Sequence, residues 1–474
     1  MLKLVSLSVA QSIIRRNVLI FKRLIIRVLF LELLCVCFSE ANAQTAPQNV
    51  ILQYTATGTK SFTIPNGVTA VTAEAWGGGG AGGRANSSGA VAGGGGGGAY
   101  AGDTKTVSGG SLSITVGAGG RSEGTDPIKH GAASSIAYGG TTFVLAAGGN
   151  TVPHVPSGGA TAAGATGGQA ASSTGAVRFS GGKGGNSTSG SGSYHASGGG
   201  GGGAGSNGAG GVGGNGKEGG LFSSTVGGAG GTGASLYGGN GGAGVGSGGK
   251  GSPGNNYGGG GGGSKEAALI GGAQDGGNGA QGRVGITLTI VPPVIVKSGS
   301  SCYDLTSGYT STSGVSYQWY RNGGAISGAT SPSLDATATG AGNYTLTVTY
   351  SFLTSIYNQN NTPSSVSTTS VAYSLALPQP AITAVSQACV DDWVSLSTGA
   401  GFNAYQWSFT SGAGGSMYGA GTANTEQFTW NVQGTKEVSV TVTDSNGCTG
   451  TATKEIVIIP QTDTGPMYRL PNNN

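Results

Sequence analysis

The stretch Val68–Gly80 reads V-T-A-V-T-A-E-A-W-G-G-G-G. From Val71 to Ala75 apolar and polar types alternate, the period-two signature of a half-buried strand, and Trp76 then runs without a linker into glycine. The counterpart lies more than 200 residues away in Arg283–Val291, R-V-G-I-T-L-T-I-V, again a strong strand. Working outward from these two, short β segments bounded by Gly, Pro or Asn fall at Ser61–Pro65, Tyr100–Val107, Leu112–Val116, Ser135–Tyr138 and Thr142–Leu145. After Gly148 the strand pattern dissolves into Gly, Ala, Ser and Asn until Arg283. The pattern predicts a small antiparallel sheet with one long excursion, closed by its last strand.

Of the 474 residues 101 are Gly; 82 of these fall between Gln44 and Ile290, 19 after and none before. A segment that is about one-third Gly excludes a continuous helix or a close-packed apolar core, because Gly buries no side chain and loses the most backbone entropy. Collagen is excluded as well, since Gly does not fall strictly every third residue and Pro is scarce. Within the excursion Gly nonetheless recurs at or near every third residue, as in Gly210–Gly220 and Gly238–Gly251. Two readings stay open. One is polyglycine-II-like threads lying side by side, with N–H to C=O bonds between them. The other is a flexible Gly/Ser-rich linker. That both ends are pinned to strands favours threads.

Charged residues are 8% of the chain, about a third of the usual share. Six of the 22 basic residues (Lys3, Arg15, Arg16, Lys22, Arg23 and Arg27) precede the apolar run Val28–Phe38, and Ala41-Asn42-Ala43 offers a small-x-small cleavage site. This reads as a secretory signal peptide over 1–43, although Glu32 interrupts the apolar run and leaves an uncleaved anchor or a misassigned start open. Without it, 16 basic residues face 16 acidic ones. A neutral chain implies no nucleic-acid or anionic-membrane partner.

The run Phe62–Gly83, F-T-I-P-N-G-V-T-A-V-T-A-E-A-W-G-G-G-G-A-G-G, with G-G-G-G-A-Y-A at Gly95–Ala101, I-T-V-G-A-G-G at Ile114–Gly120 and the closing R-V-G-I-T-L-T-I, resembles the glycine-rich domain of exported bacterial surface proteins. Related architecture occurs in the tip adhesins of phage tail fibres, where glycine threads carry recognition loops. The resemblance spans about 245 residues, within expected bounds of 44–291. It implies that contact residues sit at non-Gly tips: Tyr194, His195, Phe222, Tyr237 and Tyr257. Structural filler is the competing reading of each.

Val291-Pro292-Pro293 marks a boundary, after which Gly falls to ordinary levels. In residues 292–378, Ser316–Arg321 (S-Y-Q-W-Y-R) and Asn343–Tyr350 (N-Y-T-L-T-V-T-Y) fit an immunoglobulin-like sandwich, with Trp319 in its core and Tyr344 as the tyrosine corner. Leu346 stands where an antibody-type domain has its second Cys, so the inter-sheet disulfide is missing. Residues 379–460 resemble a PKD-type sandwich of the kind strung along exported bacterial adhesins and hydrolases. Residues 461–474 read as a polar, frayed tail. The fold class expected is therefore all-β: a glycine-rich β domain with a polyglycine-II-like excursion, then two tandem sandwiches.

Outside the signal the cysteines are Cys302, Cys389 and Cys448. The resemblance to PKD-type modules, which show the same Cys plus Asn-Gly-Cys pattern, implies a disulfide between Cys389 and Cys448. Cys302 is then left over, as a buried free thiol or an intermolecular partner.

Catalytic motifs carry little weight in this composition. Gly120-Arg121-Ser122-Glu123-Gly124 matches G-x-S-x-G, with Asp126 and His130 behind it, yet about three such matches are expected by chance and no helix follows the Ser. G-x-G-x-x-G recurs without meaning, and no phosphate loop ends in Gly-Lys-Ser or Gly-Lys-Thr, so no nucleotide or other cofactor is expected. Three scattered His give no zinc spacing. Asp391-Asp392 with Asp444 are weighed as a Ca²⁺ site and read as acidic turn residues, so no metal is expected.

These readings converge on a secreted or cell-surface, non-enzymatic, adhesin-like protein that binds an extracellular glycan or a cell-surface or matrix partner through its glycine-rich part. The alternatives are a structural matrix or biofilm spacer, or a non-catalytic accessory subunit of an exported hydrolase. Ice binding is a remote further reading, against which the irregular insertions argue.

Overall fold

The computed structural model describes residues 46–122, 128–155, 162–188, 194–219, 225–234, 237–266, 272–299, 301–351, 365–409 and 414–461. The expected signal peptide and nearly all of the expected tail lie outside them. Contacts divide the chain into two units: residues through Pro292 with two short segments, 312–316 and 348–368, and the remainder. Among the described residues the regular elements are strands, apart from one 3₁₀ turn at Ala170–Ser172.

The described residues up to Pro292 hold nine strands: β1 (Gln48–Tyr54), β2 (Gly58–Thr63), β3 (Val68–Trp76), β4 (Tyr100–Thr106), β5 (Ser111–Val116), β6 (Ser134–Tyr138), β7 (Thr141–Ala146), β8 (Val177–Phe179) and β9 (Arg283–Ile290). They form two sheets, β1-β9-β3-β4-β8 and β2-β5-β6-β7. The last strand enters between β1 and β3, antiparallel to both, with Ala73 opposite Ile286 and Ala75 opposite Val284. The alternation of β3 explains the packing. Val71, Ala73 and Ala75 face inward with Leu52, Ile286 and Leu288, and β3 and β9 pack against the second sheet, which buries Leu112, Ile114, Ile136 and Val144. Gly139 and Gly140, both at positive φ, turn β6 into β7, a tight hairpin that needs residues without a Cβ.

Between the strands lies a bundle of hydrogen-bonded threads, built from the β3–β4 connection as well as from the excursion after Gly148. Its centre is Ala92–Ala99, surrounded by six neighbouring segments, each bonded to it at every third residue. Ala92, Gly95 and Gly98 donate N–H to the carbonyls of Ser264, Gly261 and Gly258; Gly94 and Gly97 donate to Gly185 and Gly182; Gly96 and Ala99 donate to Asn150 and Ala147. In return the central carbonyls accept from three further segments: from Gly83, Gly80 and Gly77, from Ala165 and Gly168, and from Gly198, Gly201 and Ala204. Successive residues therefore point at different neighbours and the pattern closes after three, the geometry of a three-fold helix in a six-neighbour lattice. Every carbonyl of the buried thread, and every N–H from Gly94 to Ala99, is paired without a sheet. The linker reading fails for the described residues.

The second part of the chain holds β10 (Val296–Lys297), β11 (Asp304–Thr306), β12 (Val315–Arg321), β13 (Gly324–Ala325), β14 (Ser333–Asp335), β15 (Gly342–Ser351), β16 (Ser365–Thr369) and β17 (Tyr373–Leu375). They make the sheets β10-β11-β14 and β13-β12-β15-β16, with β17 also on β15. Trp319 is fully buried and donates Nε1–H to the carbonyl of Ser331 at 2.8 Å, while the Tyr344 hydroxyl donates to the Gly340 carbonyl. Next come β18 (Gln387–Cys389), β19 (Val394–Ser397), β20 (Ala404–Phe409), β21 (Gly415–Met417), β22 (Thr425–Trp430), β23 (Gly434–Thr443) and β24 (Thr449–Ile459). The sheets β18-β24-β23-β20 and β19-β22-β21 enclose one core that includes Leu396, Trp407, Phe428, Trp430, Val440 and Ile456.

The disulfide expected between Cys389 and Cys448 is not the one formed. The disulfide joins Cys302 to Cys448, with Cα atoms 4.7 Å apart, and Cys389 is free. The reason is strand direction. β18 runs parallel to β24, which places Cys389 opposite Ile459, whereas Cys448 precedes Thr449 at the other end of that strand. Eleven residues of strand separate the two positions, roughly 35 Å at about 3.3 Å each, far beyond the reach of a disulfide.

Candidate functional site

Three places on the first unit combine side-chain chemistry with exposure. The first lies where the sheet hands the chain to the threads. The β9–β3–β4–β8 register aligns Arg283, Trp76, Tyr100 and Phe179 across four strands on one face. Tyr237 and Tyr257 descend from the excursion onto this row. The Arg283 guanidinium carbon lies 3.5 Å from the Tyr237 ring centroid, 4.7 Å from that of Trp76 and 5.7 Å from that of Tyr257. Arg283 is only 3% exposed, and its Nε and Nη1 find no hydrogen-bond acceptor among the described residues. The ring faces carry negative quadrupole density and take the place of acceptors, a pairing that is stronger when water is excluded. Burial lowers the pKa of Arg283, and the phenols of Tyr237 and Tyr257 and the Glu74 carboxylate counter part of that shift.

Beside this cluster the Tyr100 hydroxyl donates to Glu74 Oε1 at 2.8 Å. Burial, the hydrogen bond to the carboxylate and its charge hold the Tyr100 phenol well above its ordinary value. Gly102 makes the contact possible, because a Cβ there would lie 2.6 Å from the Tyr100 hydroxyl oxygen.

The second place is a tip. The Tyr194 carbonyl accepts from Gly219 N–H at 3.0 Å, which sets Tyr194 and His195 beside Glu218, and His195 Nδ1 is 3.9 Å from Glu218 Oε1. Tyr194 is 50% exposed. Of the five expected contact residues, then, Tyr237 and Tyr257 converge on Arg283, Tyr194 and His195 share a tip with Glu218, and Phe222 lies outside the described residues. Tyr237 is both clasp and surface: one ring face covers Arg283, yet the residue is 51% exposed.

The third place is an open groove of about 520 Å³ on β2, β5 and the β6–β7 hairpin, lined among others by Thr59, Lys60, Ser61, Ser113 and Tyr138. Its hydroxyls pair across strands, as in Thr59 with Thr115 at 2.9 Å. Sequence reading missed this groove and the Arg283 row alike. The Ser/Thr alternation of β2 and β5 carried a signal for the first; the second depends on a register between strands some 200 residues apart.

Residues 55–289 match the glycine-rich domain family. The match begins one residue after β1 and ends one residue before the end of β9, so the glycine-rich domain comprises most of the two-sheet sandwich together with the whole thread bundle. No curated protein matches the chain.

Ser122 of the G-x-S-x-G match is buried and its hydroxyl finds no hydrogen-bond partner among the described residues, while His130 Nδ1 accepts the N–H of Thr151 at 2.9 Å. Among the described residues no three His, Cys, Asp or Glu side chains stand together as a metal site. Asp444 instead caps its own turn, accepting from Asn446 and Cys448 N–H, and it sits at the opposite end of β24 from Asp391 and Asp392.

Proposed function

We propose that this chain is an exported, non-catalytic, adhesin-like protein that recognises an extracellular glycan or a partner surface through its glycine-rich domain. In this reading the two following sandwiches, Ig-like and PKD-like in character, are spacer modules. The observation that carries the proposal is the six-neighbour thread bundle. A lattice bonded at every third residue fixes the tips that leave it, so Tyr194, His195 and Tyr237 stand preformed and the ordering cost of binding is small. A spacer would need no such rigidity. The near absence of net charge outside residues 1–43 suits a neutral partner.

The test is binding of the full chain to a glycan array and to intact cells, with Tyr194→Ala as the probe because that ring is half exposed and closes no core. Saturable binding that weakens about tenfold in the variant, equivalent to about 1.4 kcal/mol, is the expected result. Concentration-dependent self-association without saturable binding would instead make the chain a matrix component, and co-purification with an active hydrolase would make it an accessory subunit.

A further inference from the structure

The geometry points to a second carbohydrate site, on the outer face of the three-stranded sheet β19-β22-β21, where Trp393 and Tyr418 form an aromatic notch for a neutral sugar ring.

The strand pattern that builds the core also builds this face. Val394, Leu396, Phe428 and Trp430 point inward. Their neighbours in sequence, Ser395, Gln427 and Thr429, therefore point outward. Trp393 precedes β19 and Tyr418 follows β21, so both continue the outward set on either side of β22. Their ring centroids are 5.6 Å apart with planes at 81°, and the residues are 50% and 76% exposed. Two rings at a right angle make a corner with one face and one wall. The floor beside them is polar, where Gln427 Nε2 donates to Ser395 Oγ at 3.0 Å.

Charge selects the ligand. None of Trp393, Ser395, Ser416, Tyr418, Gln427 and Thr429 is charged. The acid of this strand, Glu426, turns inward, where it accepts from Gly419 and Gly421 N–H at 2.8 and 2.9 Å. A pyranose fits such a corner: its polarised C–H groups meet the negative face of an aromatic ring, and its hydroxyls meet amide and hydroxyl groups at the rim. An acidic polymer would find no counter-charge on this face. An apolar protein partner would want a wider continuous patch than two rings framed by Ser and Gln.

The five tryptophans make the site directly observable. Trp76, Trp319, Trp407 and Trp430 are at most 4% exposed, so Trp393 is the one that a small soluble quencher reaches. Acrylamide quenching of the full chain is measured with laminarin, xylan or chitohexaose, and with alginate as the acidic comparison. The expected result is that at least one neutral saccharide shields Trp393. Tyr418→Ala should weaken that saccharide about tenfold, and Trp393→Phe should keep binding by equilibrium dialysis while losing the quenchable signal. Tyr194→Ala leaves this readout unchanged, which separates the site from recognition by the glycine-rich domain. Lack of protection by every neutral saccharide overturns the proposal, as does protection by alginate alone. Shielding that rises with protein concentration without sugar also overturns it, because a second copy of the chain then covers the face.

Discussion

A methyl group on Gly97 would lie 2.0 Å from the carbonyl oxygen of Gly202, and one on Gly94 equally close to that of Gly199. The obstacle in each case is backbone already committed to hydrogen bonds, which cannot swing aside as a side chain does. Gly97→Ala must therefore push two threads apart and lengthen bonds on several sides. It should destabilise the domain by about 3 kcal/mol or more, the upper end for overpacking. Gly208 is the control, since a Cβ there meets nothing within 4 Å. Gly208→Ala should change stability by less than about 1 kcal/mol, in either direction. Thermal unfolding of the two variants tests whether the glycine content is lattice or filler, and equal effects would contradict the bundle. The three-residue period made the threads legible in the sequence. Which thread faces which was not, because glycine has no side chain to mark a face.

At the scale of elements, the junction between sheet and threads is held by a row of side chains that only the strand register assembles. The resemblance to the glycine-rich family points to Tyr237 and Tyr257 as tip residues, but in the sequence Arg283 is simply the first residue of a strand. Its role appears once β9 is paired with β3, which puts Arg283 opposite Trp76. Tyr100, on the other side of Trp76, gives this junction a pH signature. Its pKa is raised in the folded state, so the folded chain keeps the phenolic proton to higher pH than the unfolded chain does. The contribution is complete below the ordinary phenol value near 10 and is lost progressively as pH rises from there toward the folded value. Chemical denaturation between about pH 9 and 12 should show stability falling with pH, and Tyr100→Phe should flatten part of that slope. An unchanged slope in the variant would assign the alkaline loss to other tyrosines.

At the scale of the whole molecule, the covalent link closes a much longer loop than the sequence pattern implies. The resemblance to PKD-type modules pairs two cysteines of one sandwich; the disulfide instead ties Cys302, just ahead of β11, to Cys448, just ahead of β24, 146 residues on. No sequence spacing reveals this, because what keeps Cys389 from Cys448 is β18 running parallel to β24, a direction that alternating residues do not encode. Chain entropy assigns a loop of that length about 5 kcal/mol, although strain and residual structure commonly reduce the measured value to about 2–4 kcal/mol. Both sulfurs belong to buried residues, so the link should resist mild reductant until the surrounding sandwiches open. Non-reducing peptide mapping should recover a Cys302–Cys448 cross-linked pair together with Cys389 alkylated by maleimide. Cys302→Ser should lower the unfolding midpoint of the sandwiches and release Cys448 to alkylation, while Cys389→Ser should leave both unchanged. The reverse pattern, with Cys389→Ser the destabilising change, would restore the pairing within one sandwich and require β18 to be turned around against β24.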